Sequence, residues 1–139
     1  MCLSKSERRR KTGRAVRGGA AVELAVCLPV LALVVFGSIE ACSMMFLRQT
    51  LCAAAYEGIR VAMKKDGTNA EASRRCQEVL AARNVQRATV AFQPADVSAA
   101  NRGTALTITV SAPCDANRIS PAWFYQGMAI SVGATMVKE

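Results

Sequence analysis

Glu23 is an acid inside an apolar segment, and its position favours a defined chemistry. It lies in the stretch RAVRGGAAVELAVCLPVLALVVFGSIE, residues 14–40, just after the glycine pair Gly18 and Gly19. A carboxylate near the end of a membrane-length helix needs water or a cationic partner. A cut between Gly18 and Gly19 would create such a cation, a new α-amino group at the same end of the helix. The spacing therefore indicates proteolysis followed by charge pairing between Glu23 and the amino terminus of an adjacent subunit.

The glycine pair supports the same interpretation. Two residues without side chains supply the extended, unobstructed backbone that a protease needs at a membrane surface. The bond between Gly19 and Ala20 is a second candidate for the cut, but a cut after Gly18 places the acid fifth in the mature chain. A glutamate that simply snorkels to the lipid interface would explain Glu23 alone, without the glycines and the basic tail before them.

The remaining reactive side chains do not form a catalytic set. The chain has no histidine, which removes the commonest general base and the commonest metal ligand. None of the six cysteines forms a CxxC pair, so neither a zinc site nor a thioredoxin-type site is predicted. A thiol enzyme using Cys76 or Cys114 would lack a base, and we expect neither enzymatic activity nor a cofactor or small-molecule substrate. In an oxidising compartment we expect Cys76 and Cys114 to form a disulfide, with free buried thiols as the equally favoured alternative.

The basic residues are concentrated at the N-terminus. Of the net charge of +8, the first 17 residues carry +6, from seven Lys or Arg residues and Glu7. A basic tail directly before an apolar segment keeps an N-terminus in the cytoplasm. A nucleic-acid-binding arm is the rival interpretation, but no aromatic or glycine-rich RNA-binding signature follows, and we expect no nucleic-acid partner.

The apolar run that follows is long enough to cross a membrane. Residues 24–47 carry one charge, Glu40, and as a helix they would extend roughly 36 Å, against about 30 Å for a hydrocarbon core. A cleavable secretory signal would have a shorter apolar core ended by a polar break. Pro29 is expected to kink the helix. The sequence therefore predicts a single-pass membrane helix.

The helical pattern continues beyond the membrane with one apolar face, formed by Leu51, Ala55, Ile59 and Ala62. The segment from Lys64 to Gly67 indicates its end. Thr68 and Glu71 have the spacing of a capping box and predict a second helix over residues 69–83. Its expected buried face consists of Ala72, Cys76, Val79 and Leu80.

The C-terminal part predicts strands. Alternating apolar residues indicate three of them, at residues 89–92, 105–112 and 128–137, with a turn at residues 101–103. Three strands covered by two helices form an α+β domain with a small antiparallel sheet. Trp123, Phe124 and Tyr125 lie in the link before the last strand, where packing at the edge of the core is favoured over a docking surface.

The N-terminal half resembles a known family. A basic leader, a glycine and an acid at the fifth mature position heading an apolar helix form a prepilin-type signal, and RGGAAVELAVCLPVLALVVFGSIE is similar to the TadE family of pilin-like proteins. A second segment, LRQTLCAAAYEGIRVAM, is similar to the family's sequence after the membrane, with Gln49, Ala55, Glu57, Gly58 and Arg60 in the expected order. The resemblance covers about residues 16–64.

The resemblance implies roles for the residues singled out above. Gly18 would precede the cut made by a prepilin peptidase, Gly19 would be the first mature residue, and Glu23 would be the assembly glutamate. The expected organisation is a cytoplasmic leader (residues 1–18), a transmembrane helix (19–47) and an exported α+β domain (48–139).

The resemblance also implies a function. It is that of a minor pilin or pseudopilin of a tight-adherence (Flp-type) pilus in the bacterial inner membrane, with its C-terminal domain periplasmic or extracellular. Expected partners are other pilin-like subunits, platform proteins and an assembly ATPase. The alternative is an uncleaved single-pass anchor whose outer domain is a binding module in an envelope complex.

Overall fold

A computed structural model describes residues 15–117 and 127–138, with side chains from residue 18 onwards. The order of elements is α1 (Ala15–Ala62), α2 (Asn69–Ala82), β1 (Thr89–Gln93), β2 (Ala105–Pro113) and β3 (Ala129–Val137). The chain has the predicted α+β class, with a long apolar N-terminal helix, a second helix and a three-stranded antiparallel sheet. Residues 1–14, which hold most of the predicted leader, lie outside the described residues, as does the Trp123–Tyr125 cluster.

Helix α1 contributes to two compact units, Met1–Gly37 and Ser38–Glu139. In the first, the described apolar side chains from Val22 to Phe36 are mostly more than half exposed. In the second, α1 has a buried face that starts at Glu40 and continues to Ala62. The sequence predicts that the exported domain starts at residue 48. The second compact unit starts earlier, at Ser38, because the buried face of α1 begins inside the apolar run.

The core of the second unit lies between the helices and the inner face of the sheet. Leu51, Ala55, Ile59 and Ala62 of α1 are fully buried, which confirms the predicted apolar stripe. Helix α2 adds Ala72, Cys76 and Leu80, whereas Val79 is only partly buried. The centre of the sheet adds Leu106, Ile108 and Val110 of β2.

Helix α2 begins where its capping signal predicts. The Thr68 hydroxyl accepts a hydrogen bond from the Glu71 amide at 3.3 Å, which satisfies one of the free N–H groups of the first turn. The helix ends at Ala82 with Arg83 as its C-cap, and Asn84 follows with a φ of 55°, in the left-handed region. The Val85 amide then donates to the Leu80 carbonyl at 2.9 Å and closes the last turn.

The sheet is an antiparallel meander with the order β1-β2-β3. Ile108 of β2 lies opposite Phe92 on β1 and Ala134 on β3. The inward residues of β2 are buried, but those of β3 are only partly buried. On the other face, the Thr107 and Thr135 hydroxyls are hydrogen bonded across the strands at 2.8 Å. The helices therefore cover the centre of the sheet more fully than its β3 edge.

Candidate functional site

The glycine pair of the predicted cleavage site is helical. Gly18 and Gly19 both lie inside α1, and a side chain added at either position would meet no heavy atom within 4 Å outside its own helix turn and chain neighbours. In the structure the glycine pair thus has open surroundings and a helical backbone, and the predicted cut beside it stays a prediction. Helix α1 continues through both glycines because the residues around them favour a helix. A protease would have to unwind this turn of helix to reach the peptide bond between Gly18 and Gly19.

Glu23 lies one turn after Gly19 and is exposed. Its neighbours Val22 and Leu24 are 64% and 60% exposed, so the acid is surrounded by uncovered apolar surface. Within residues 18–117 and 127–138, no hydrogen bond or ion pair engages the Glu23 carboxylate. An acid so placed is available to a cation from outside this part of the chain.

The helix that carries Glu23 is suited to a membrane. The segment Gly18–Ala62 is long and apolar enough to cross a bilayer, and its most apolar window has no buried residues. A helix of a soluble core would bury much of such a window, because each apolar side chain gains about 1.5–3 kcal/mol on leaving water. Length, composition and exposure thus favour an apolar surrounding for the first half of α1.

Glu40 is a second acid of α1, and sequence reasoning noted it only as a lone charge. It is buried, with 6% of its surface exposed. One of its carboxylate oxygens, Oε1, has no hydrogen-bond partner in the described part of the chain. A carboxylate buried in this way costs stability, because it loses water without full compensation. Ser43, one turn later, instead donates its hydroxyl to the Ile39 carbonyl at 2.9 Å.

Near residue 57, α1 and α2 are joined by an ion pair between Glu57 and Arg75 and by close packing of Gly58 on Cys76. The Arg75 guanidinium donates through Nη2 to Glu57 Oε2 at 3.2 Å and through Nη1 to Glu78 Oε2 at 3.1 Å. Its hydrogen bonds to Glu78 and then Glu57 raise the pKa of Arg75 above its ordinary value. Next to Glu57 in the chain, Gly58 is buried, and a side chain added there would overlap Cys76 Sγ and lie 3.5 Å from Ile108 Cδ1. The absence of a side chain at Gly58 lets the two helices approach closely here.

Cys76 and Cys114 are both buried and both free. The Cys76 thiol donates to the Ala54 carbonyl at 3.2 Å, and Cys114 lies directly after the end of β2. The expected disulfide is thus not formed in the structure, which has instead the alternative of free buried thiols. Burial raises the pKa of both thiols, because it disfavours the charged thiolate.

The buried thiols should react slowly. At pH 8 we expect maleimide to label Cys52, which is exposed, and to leave Cys76 and Cys114 unlabelled until the protein is unfolded. Because the folded-state pKa of Cys76 is raised, its thiolate forms more easily in the unfolded state, and stability should fall as the pH rises above about 8.5. Peptide mass spectrometry before and after unfolding measures the labelling. A peptide pair joined through Cys76 and Cys114 would contradict this prediction and restore the disulfide.

Metal chemistry is not indicated in the described part of the chain. Residues 18–117 and 127–138 contain no group of three or more cysteine, aspartate or glutamate side chains placed to hold a metal ion. The functional features that remain are the glycine pair, the exposed Glu23 and the surface of the second unit.

The comparisons with known proteins agree with the resemblance found in the sequence. Residues 18–60 match a family model described as TadE-like protein. The match starts at the first residue of the glycine pair and includes Glu23, Glu40, Glu57 and Gly58. No curated protein and no solved structure matches the chain. The TadE-like relationship is thus located in the helix that carries the candidate site.

Proposed function

We propose, from the TadE-like segment at residues 18–60, that this chain is a minor pilin or pseudopilin of a tight-adherence pilus apparatus. It is a structural subunit and not an enzyme. The observation that carries the proposal is the Glu23 carboxylate, which has no partner within residues 18–117 and 127–138 and lies one helical turn after the glycine pair on an exposed apolar helix.

The exposed part of α1 has the length that a bilayer requires. From Gly18 to Gly37 there are about 20 residues, which extend roughly 30 Å at about 1.5 Å per residue. This segment would cross the inner membrane with residue 18 at the cytoplasmic side. The second compact unit, starting at Ser38, would then lie at the outer surface, and Glu40 would sit near the boundary.

The leader and Glu23 act in sequence in this mechanism. The +6 charge of the first 17 residues holds the N-terminus at the cytoplasmic face, because anionic lipids attract basic segments. A prepilin peptidase removes the leader after Gly18 and exposes the amino group of Gly19. In the apolar surroundings of packed helices, this ammonium pairs with Glu23 of an adjacent subunit, since neither charge is tolerated alone there. The charge pair fixes the axial register between subunits.

The partners follow from this role. A prepilin peptidase processes the chain, inner-membrane platform proteins and an assembly ATPase act on it, and other pilin-like subunits pack against α1. The outer domain is periplasmic, or lies on the surface when the subunit is part of a fibre. Its sheet and α2 pack on the second half of α1, so this domain would be carried along with the helix.

The alternative is an uncleaved anchor, with the same topology and the outer domain as a binding module. The two functions differ in one peptide bond. Intact mass measurement of the protein extracted from its native membrane should find an N-terminus at Gly19. An N-terminus at Ala20 would move the cut by one residue and keep the function. A full-length chain that retains the leader in an assembled apparatus would overturn the proposal in favour of the anchor.

A further inference from the structure

A cavity of about 570 Å³ lies in the second compact unit at the end where α1 terminates. It is formed by the turn after α1, the β1–β2 loop and the end of β3. The described residues that line it carry three positive charges and no negative one: Lys65, Ser98, Ala100, Asn101, Arg102 and Lys138. A concave surface with charges of one sign concentrates ions of the opposite sign.

Lys138 is the buried cation of this cavity, with 8% of its surface exposed. Its ammonium donates one hydrogen bond in the described structure, to the Val97 carbonyl at 3.1 Å, although it has three protons to donate. The Lys138 amide donates to the Thr104 carbonyl at 3.0 Å, and its carbonyl accepts from the Gly103 amide at 2.7 Å. The backbone thus fixes this lysine in place, while its charge lacks a full set of acceptors.

Asp96, an acid of the β1–β2 loop, is engaged by its own loop. Asp96 accepts hydrogen bonds from the Ser98 amide at 2.9 Å and from the Ser98 hydroxyl at 2.5 Å. These bonds lower the pKa of Asp96, with a smaller contribution from the charge of Lys138. The Asp96 carboxylate is thus hydrogen bonded within its own loop, and Asp96 is not one of the residues that line the cavity.

The loop that forms one wall is anchored. The Asn69 side chain accepts from the Val97 amide at 2.9 Å and donates to the Ala95 carbonyl. The Val97 side chain is 1% exposed, and its carbonyl also accepts from the Ala100 amide at 3.3 Å. Contacts with the core and with α2 therefore fix the conformation of this loop. Ligand binding would not include the entropic cost of ordering it.

The two exposed cations of the lining are unpaired. Across residues 18–117 and 127–138, neither Lys65 nor Arg102 forms an ion pair. Like charges that line the same cavity destabilise one another, and an anion bound between them would relieve this repulsion. The side chain of Asn101 likewise has no hydrogen bond within these residues. Within the described residues, the cavity thus has free hydrogen-bond donors on two charged groups, Lys65 and Arg102, and on the neutral amide of Asn101.

We propose that this cavity binds an anionic saccharide unit. A carboxylate or phosphate group would lie between Lys65, Arg102 and Lys138, in charge-assisted hydrogen bonds. Ser98 and Asn101 would bond the sugar hydroxyls. The volume exceeds what an inorganic ion needs and falls within the range of small-ligand sites. Among the described residues, the lining has no aromatic side chain on which a nucleobase could stack, which favours a sugar over a single-stranded nucleic acid.

The test uses the full chain in uncharged detergent micelles and calorimetric titration at fixed low salt. The probes are trigalacturonate, its methyl ester, a phosphorylated trisaccharide and a single-stranded DNA oligonucleotide of the same charge. We expect saturable binding of at least one acidic trisaccharide and none of the neutral ester. Comparing trigalacturonate with the phosphorylated sugar identifies which anionic group the site prefers.

A pair of double variants ties the binding to the cavity. Lys65→Gln with Arg102→Gln removes two lining charges from exposed positions and should weaken binding by about tenfold or more. Arg60→Gln with Arg74→Gln removes two exposed charges outside the lining and should leave affinity within about twofold.

Equal weakening by both pairs, equal binding of the ester, or no saturable binding of either acidic sugar would overturn the proposal. So would tighter binding of DNA that depends on the same two residues. None of these outcomes bears on cleavage after Gly18, so this site and the pilin role are tested separately.

Discussion

Replacing Gly58 with alanine is expected to destabilise the second compact unit by about 1–3 kcal/mol. An alanine side chain here would overlap Cys76 Sγ, whereas its next neighbours, the Ala72 carbonyl oxygen and Ile108 Cδ1, lie at ordinary distances of 3.4 and 3.5 Å. Relief of the clash requires α2 to move away from α1, and that movement opens the core. The gain in helix propensity from glycine to alanine, about 1 kcal/mol, offsets only part of this cost. Thermal unfolding followed by circular dichroism in detergent measures the change.

A double-mutant cycle assigns this loss to one contact. Cys76→Ala removes the sulfur that the new methyl group would overlap, so Gly58→Ala with Cys76→Ala should be more stable than the sum of the single changes indicates. Gly133→Ala is the matched control, because the nearest atom to a side chain there is 3.6 Å away. We expect the control to change stability by less than about 0.5 kcal/mol. Additive effects of the two changes would show that the helices are not in close contact at Gly58.

Glu23→Gln is expected to leave cleavage after Gly18 intact and to prevent incorporation into an assembled fibre. The amide has the shape of the acid but no charge, so the Gly19 ammonium of an adjacent subunit would remain unpaired among apolar helices. An uncompensated charge costs roughly 2.5–3.5 kcal/mol at the bilayer centre and less near a helix end, so we expect the association constant to fall by roughly tenfold to a hundredfold. Immunoblots of sheared fibres and of membranes measure the assembled and unassembled fractions, and intact mass measures the processing.

Two control variants separate assembly from processing and from general charge effects. Glu71→Gln makes the same chemical change at an exposed position of α2 and should assemble normally. A bulky residue in the Gly18→Val variant should block the peptidase, so the chain keeps its leader and stays in the membrane. Normal incorporation of the Glu23→Gln subunit would disprove the charge-pairing mechanism, even if the leader is removed as proposed.

Much of the fold could be predicted because it follows from local periodicity. The stripe at Leu51, Ala55 and Ile59 repeats with the period of a helix, and these three residues are fully buried. Alternation at Leu106, Ile108 and Val110 gave the central strand, whose apolar face is buried in the same core. Thr68 marked the start of α2 because its hydroxyl bonds the backbone only three residues away. Each of these signals lies within one element.

The features that sequence reasoning missed depend on contacts between distant elements. Glu40 has the same local sequence whether it faces lipid or a packed interior, so only the tertiary structure shows its burial. The contact between Gly58 and Cys76 joins two helices whose relative position no periodicity specifies. The cationic cavity collects Lys65, Arg102 and Lys138 from three separate parts of the chain. The helical state of Gly18 and Gly19 is also not evident from the pair itself, because glycine adopts extended and helical backbone equally readily and the surrounding residues decide between them.

In the proposed topology the second compact unit would fold after crossing a membrane, and the meander order of the sheet has a consequence for that step. Every strand pairs with its neighbour along the chain, and α2 precedes the first of them, so the elements become available in the order in which they pack. Because pairing joins only consecutive strands, the sequence separation between contacting residues stays moderate, which limits the entropic cost of pairing and favours rapid folding. Translocation from the N-terminal side can thus add one hairpin at a time onto a helix that has already emerged. Each strand would therefore pair with the next strand to cross the membrane, and its edge would be unpaired only until that strand emerges.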